Sequence, residues 1–244
     1  MAKFVSNRPV RVYNKMQLNA DNSKGIGIFG GTFDPVHIGH LRASVELRKI
    51  FGLSEMRLIP SANPPHKAQP ETSAEHRLAM LQLALANEPG LVSDERELHR
   101  KGLSYTLDTL TEIRAEIGVE TPLCLCIGMD SLIDLNQWHR WRELTEVAHV
   151  VAVARPGWHL SQSGEVLEFV RAHRASGEEE LLAQPAGNIL IKEITLLPVS
   201  ATGIRQALQR GESIRYLVPD SVIDYIRQHQ LYSDKKDKPK QEIQ

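Results

Sequence analysis

The chain has 244 residues, of which 41% are hydrophobic, 24% charged and 5% aromatic. That apolar share supplies a core for one domain or two small ones and excludes wholesale disorder. Lys plus Arg is 29 and Asp plus Glu is 30, a formal net charge of -1, so no positive excess favours a nucleic-acid partner. No apolar run approaches the roughly 18 residues a membrane span needs, so a cytoplasmic protein without a membrane partner is expected. Cys124 and Cys126 alternate with Leu in an apolar run. They are expected to be buried strand thiols in a reducing compartment.

Residues 1–24 carry Lys3, Arg8, Arg11 and Lys15 before any acid, with Pro9 among them and no apolar face. They are expected to form a poorly ordered extension. Residues 25–232 form the folded unit, and 233–244, rich in Lys with Pro239, a solvated tail. Within that unit, Ile26 to Phe29 predicts a buried strand, and Leu41, Val45, Leu47 and Ile50 a helix. Met56 to Ile59 predicts a second strand ended by Pro60. Thr72 and Glu75 form a capping box ahead of a helix through Leu85. Ser104 opens another helix, followed by strands at Leu123 to Ile127 and Val147 to Ala154. A helix through Val166 to Val170 comes next, then a long surface loop from Ala175 to Gly187. A strand within Ile189 to Leu197 and helices at Ile204 to Leu208 and Val222 to Ile226 complete the chain. Strand and helix alternate, and near-continuous apolar strands imply a parallel sheet covered on both faces. The expected fold is a doubly wound, Rossmann-like α/β domain with ligands beyond the carboxyl ends of its strands.

The most informative segment is Gly30-Gly31-Thr32-Phe33-Asp34-Pro35-Val36-His37-Ile38-Gly39-His40, where the first strand gives way to the first helix. The paired glycines permit a tight bend and close approach of a ligand, and the helix start offers N–H groups to phosphate. His37 and His40 share a face at i and i+3. The G-x-G-x-x-G order and a following G-K-[ST] are both lacking, so neither a dinucleotide fingerprint nor a P-loop is present. No third metal ligand sits at helical spacing nearby, so the chain is expected to supply no metal ligands of its own. Near the other end, Ser200 or Thr202 can cap a helix in Val199-Ser200-Ala201-Thr202-Gly203-Ile204-Arg205, and Arg205 can grip phosphate as a fork.

The first segment resembles the signature of the nucleotidylyltransferase superfamily, most nearly that of its bacterial nicotinate-nucleotide adenylyltransferase family. The similarity runs from about Gly25 to Tyr232, with further motifs in order. The resemblance implies transfer of AMP from ATP to nicotinate mononucleotide, giving deamido-NAD and pyrophosphate without a covalent intermediate. It makes His40 the main transition-state donor and has His37 help hold the ATP phosphates. It implies ATP contacts at Gly30, Gly31, Thr32, Phe33, His37, His40, Gly128, Asp130, Ser200, Thr202 and Arg205, with Ala201 standing where the family commonly has Ser. Mg²⁺ would bridge phosphate oxygens and keep most of its waters. On the acceptor side, Asn63-Pro64-Pro65-His66-Lys67 is similar to the family's phosphate loop, which brings His66 and Lys67 to nicotinate mononucleotide. Ser104-Tyr105-Thr106 resembles its helix start, where the amides of Tyr105 and Thr106 can meet the nicotinate carboxylate. The family places Trp138 on the pyridine ring, where a cationic ring gains from an aromatic face, while Trp141 is expected in the core. Asp130 can accept from ribose hydroxyls or simply cap a helix. His76, Arg77 and Arg155-Pro156-Gly157 are weaker candidates, and Arg77 is equally consistent with a surface charge.

Alternatives remain. A related enzyme using nicotinamide mononucleotide or phosphopantetheine shares much of the pattern, as does a nucleotide sensor that has lost catalysis. A class I aminoacyl-tRNA synthetase shares His-x-Gly-His, but is far longer and carries a K-M-S-K-S loop absent here. The sequence leaves homo-oligomerisation open.

Overall fold

The computed structural model describes residues 25–62, 69–100, 102–154 and 163–233. Six parallel strands lie in the order β3-β2-β1-β4-β5-β6. They are β1 (Ile26–Gly31), β2 (Glu55–Pro60), β3 (Leu91–Ser93), β4 (Leu123–Gly128), β5 (His149–Ala154) and β6 (Ile189–Glu193). The chain leaves the centre at β1, runs outward through β2 and β3, then returns to build β4, β5 and β6 on the other side. The reversal of direction falls between β1 and β4, whose register pairs Phe29 with Cys126. A crevice opens at such a reversal beyond the carboxyl ends of the strands. Gly30, Gly31 and Gly128 occupy those ends.

The helices are α1 (Ile38–Ile50), α2 (Ala74–Leu85), α3 (Arg96–His99), α4 (Thr106–Ile117), α5 (Met129–Ile133) and α6 (Leu144–Val147), then α7 (Glu165–Ala172), α8 (Glu178–Leu182), α9 (Ala201–Gln209) and α10 (Asp220–Gln228). Strand β4 shows how the sheet is covered. Cys124 and Cys126 join a core with Leu47 of α1, Met80 of α2, Ile204 of α9 and Ile223 of α10. Leu123, Leu125 and Ile127 face the other way, into a core with Leu110 of α4, Leu132 of α5 and Val170 of α7. Alternation along one strand thus feeds two apolar layers, the doubly wound arrangement expected. Both cysteines are buried and unpaired. Burial pushes the Cys124 thiol up to about 12 and raises Cys126 as well, so neither offers a thiolate at neutral pH.

Three local expectations change. The cap of α2 is Ser73, whose side chain accepts from the His76 amide, not Thr72; Thr72 is buried instead. Strand β3 and helix α3 lie in a stretch too short to show a period, yet β3 pairs with β2 from Met56–Leu91 to Leu58–Ser93. The expected surface loop from Ala175 to Gly187 contains α8, held down by the fully buried Leu181. The segments 1–24 and 234–244 and the residues Arg155, Pro156 and Gly157 lie outside the described residues. Among the described residues no helix is long and apolar enough to cross a membrane.

Candidate active site

The loop Thr32–His37 crosses from β1 to α1 and is braced from beneath. Phe33 adopts φ 51 and buries its ring to 2% exposure, edge-on to His40 with centroids 5.0 Å apart. Phe33 was expected at ATP; its ring is instead in the core, which leaves its main chain to face a ligand. His37 caps α1 and stacks on His40, with ring centroids 3.6 Å apart and planes 19° apart. A side chain at position 39 would bring a Cβ within 3.1 Å of the His37 ring, which is why Gly stands between the histidines.

The two rings differ in their chemistry. His37 is 6% exposed, and burial lowers its pKa from 6.5 to about 4, so it is neutral near pH 7. The His37 amide donates to His40 Nδ1 at 3.3 Å. With Nδ1 accepting, the His40 ring proton sits on Nε2. A neutral His37 also places no like charge beneath it. The helix start is less open than the sequence suggests. The Ile38 amide is taken by the Leu217 carbonyl at 2.9 Å and the His40 amide by the His37 carbonyl at 3.0 Å. Among the described residues, the Gly39 amide in the same turn has no partner.

Helix α9 approaches the same loop from the far end of the chain. Its cap is Ser200, whose hydroxyl oxygen accepts from the Gly203 amide at 3.1 Å. The amides of Ala201 and Thr202 lie in the turn that helix geometry leaves unpaired. Arg205 Nη1 donates to the Asp34 carbonyl at 2.8 Å, and its Nε meets Glu71 Oε1 at 2.7 Å. Arg205, some 165 residues of sequence beyond His40, is thereby tied directly to the histidine loop, and brings its own helix start, with Ser200 and Thr202, to that end of the sheet. Gly128 caps α5, and a Cβ there would lie 2.3 Å from Asp130 Oδ1. Asp130 is exposed and is not the cap of that helix.

The acceptor-side residues fall into two groups. His66 and Lys67 lie outside the described residues. Helix α4 begins at Thr106 with Tyr105 as its cap and no side chain closing the first turn. The Tyr105 ring lies 4.3 Å from the ring of His139, the neighbour of Trp138. Trp138 is half-buried against the core, whereas Trp141 is within it at 7% exposure, edge-on to Phe169.

Arg77, a weaker candidate in the sequence, and three residues that sequence patterning did not assign, Asp34, Glu71 and Tyr232, support this loop. Arg77 is no surface charge: it is 1% exposed, and its Nη1 donates to the Thr32 carbonyl at 2.7 Å. Its position three and four residues before the buried Met80 and Leu81 is the sequence signal that marked it as inward-facing. Asp34 accepts from Tyr232 Oη at 2.6 Å and from the Glu71 amide at 2.8 Å. Burial and the Asp34 hydrogen bond raise the Tyr232 phenol far above its ordinary range, so it remains a donor. Among the described residues no three or more His, Cys, Asp or Glu side chains gather as a metal site.

A parallel sheet with a glycine-lined reversal, stacked histidines and a capped helix bearing an arginine makes this a nucleotide-handling α/β protein of the transferase type. The chain belongs to the cytidylyltransferase-like family, whose model matches residues 28–207, and groups within it with proteins named nicotinate-nucleotide adenylyltransferase. The probable nicotinate-nucleotide adenylyltransferase of Aeromonas salmonicida is 49% identical over 207 residues, covering 85% of this chain and 96% of that protein. Its counterpart from Cellvibrio japonicus is 50% identical over 208 residues, covering 85% and 98%. The fold is similar to that of the Plasmodium falciparum nicotinic acid mononucleotide adenylyltransferase complexed with NaAD. The TM-score is 0.66 at 19% identity, over 86% of this chain and 97% of that one.

Proposed function

We propose that this protein moves AMP from ATP to nicotinate mononucleotide, making deamido-NAD and pyrophosphate, with residues 25–232 as the catalytic unit. A phosphate oxygen of the acceptor attacks the α-phosphorus. A new P–O–P bond forms as the bond to the β-phosphate oxygen breaks, and pyrophosphate leaves with that electron pair. Such a displacement demands positioning and charge stabilisation, not a protein nucleophile.

The observation that carries this reading is the His37–His40 pair. Accepting the His37 amide at Nδ1 commits His40 to donate from Nε2, and a donor fixed before reaction stabilises developing phosphoryl charge without reorganisation. His37, neutral and buried, holds that ring in place by stacking. The main chain of Gly30 to Phe33 and the first turn of α9, with Ser200 and Thr202, line the path of the polyphosphate, and Arg205 takes its charge as a fork. Gly128 gives the nucleotide room to approach β4, and Asp130 accepts from ribose. Mg²⁺ arrives with ATP as part of the substrate. On the acceptor side, His66 and Lys67 take the phosphate and Trp138 stacks on the pyridine ring. The uncapped start of α4 at Tyr105 and Thr106 receives the carboxylate, as a helix N-terminus does.

The test is pyrophosphate release from MgATP with nicotinate mononucleotide, nicotinamide mononucleotide or phosphopantetheine as acceptor. Release with the acid far above the other two is the expected result. Equal rates with acid and amide would keep the transferase and reject carboxylate recognition by α4. Tight ATP binding without release for any acceptor would point to a sensor.

A further inference from the structure

Arg205 already engages the protein around it. Three partners hold it: Glu71 Oε1 at Nε, the Asp34 carbonyl at Nη1 and, at 3.5 Å, Thr202 Oγ1 at Nη2. They differ in how readily they can leave. The Asp34 carbonyl is main chain in a loop whose carboxylate is itself pinned by Tyr232 and the Glu71 amide. Thr202 is a neutral hydroxyl at the limit of contact. Glu71 is charged, and its side chain is 45% exposed against 19% for Arg205. Its carboxylate can turn into water while its amide keeps its bond to Asp34.

We propose that Glu71 is a resident counter-anion for Arg205, a carboxylate that an incoming polyphosphate must displace. This rests on the reading of Arg205 as a phosphate ligand. An ion pair open to water holds weakly, and a polyphosphate offers more charge and more acceptor oxygens to the same fork. Displacement therefore runs in favour of the nucleotide, but each binding event first breaks the Glu71 contact. The displaced carboxylate stays tethered beside the phosphates through its main-chain bond to Asp34 and opposes them by like charge. Glu71 thus limits affinity for any polyphosphate, substrate or released pyrophosphate alike, and keeps Arg205 aimed between turnovers.

The probe is magnesium-free inorganic tripolyphosphate, which separates the carboxylate's effect from metal binding. Titration calorimetry on the full chain compares wild type, Glu71→Gln, Arg205→Gln and the double variant. Glu71→Gln should tighten binding about three- to tenfold at low salt, the scale of an exposed ion pair plus a nearby like charge, and the gain should shrink at high salt. Arg205→Gln should weaken binding at least about tenfold, the scale of a charged hydrogen-bond partner, and adding Glu71→Gln to it should bring a smaller gain than in wild type, because the ion-pair share is already gone and only the like-charge share remains. In turnover, Glu71→Gln should lower the KM for ATP, which loss of a merely structural contact would not do. Weakened binding in Arg205→Gln with unchanged or weaker binding in Glu71→Gln overturns this proposal alone. Unchanged binding in Arg205→Gln overturns the phosphate-ligand reading and this proposal with it.

Discussion

The buried His37 makes folding stability depend on pH in a direction that can be worked out. In the native state its pKa falls from 6.5 to about 4 through burial. In the unfolded chain the ring takes up a proton below about pH 6.5, whereas in the fold it does not until about pH 4. Between those limits the unfolded state binds more protons, so acid favours unfolding. The contribution is present in full above pH 6.5 and is lost as pH falls toward 4. At about 1.4 kcal/mol per pH unit, that loss reaches roughly 3 kcal/mol. The assay is urea unfolding of wild type and His37→Asn from pH 7 to 4, reading the difference in stability between them. Burial lowers the pKa of His149 too, so acid acts on both proteins there, but that effect cancels in the difference. The wild-type advantage should shrink, or reverse, by about 3 kcal/mol across the range. A difference that stays constant from pH 7 to 4 would refute the neutral, buried His37, and with it the account of why His40 stacks on it without repulsion.

Other consequences are open to direct measurement. His40→Ala should cut kcat by about 10² to 10⁴-fold with an unchanged thermal transition, the effect of removing a transition-state donor; a loss under about tenfold takes His40 out of the chemistry. Trp138→Ala should raise the KM for nicotinate mononucleotide far more than that for ATP, and an unchanged acceptor KM rejects stacking. Arg77→Met should cost about 1 to 3 kcal/mol in urea unfolding, because the Thr32 carbonyl loses its charged donor inside the protein. If stability is unchanged, Arg77 is not the brace of the motif loop.

Much of the site was legible because its residues lie in short runs. The Gly30–His40 segment places three glycines and two histidines within eleven residues, and local geometry alone puts His37 and His40 on one face. Helix α9 with its Ser200 cap was readable for the same reason, since caps act within one turn. What escaped was long-range. Thr72 fits the capping-box spacing with Glu75, yet Ser73 took the capping role, because a hydroxyl at either position can cap and packing buried Thr72. Strand β3 has three residues, too few for a period, and exists through its pairing with β2.

The sequence by itself determined the alternating apolar segments, the parallel sheet they require and the placement of both phosphate motifs at element junctions, because hydrophobic period, glycine freedom and capping are local properties. The tertiary structure decided which way the side chains spend their polar groups. It buried Phe33 and Arg77 beneath the motif loop and claimed the Ile38 amide for Leu217. It also joined Asp34, Glu71, Arg205 and Tyr232 into one network. Those partners come from segments as much as 198 residues apart. Their bonds follow from how helices pack around the sheet, and no window of sequence contains that information.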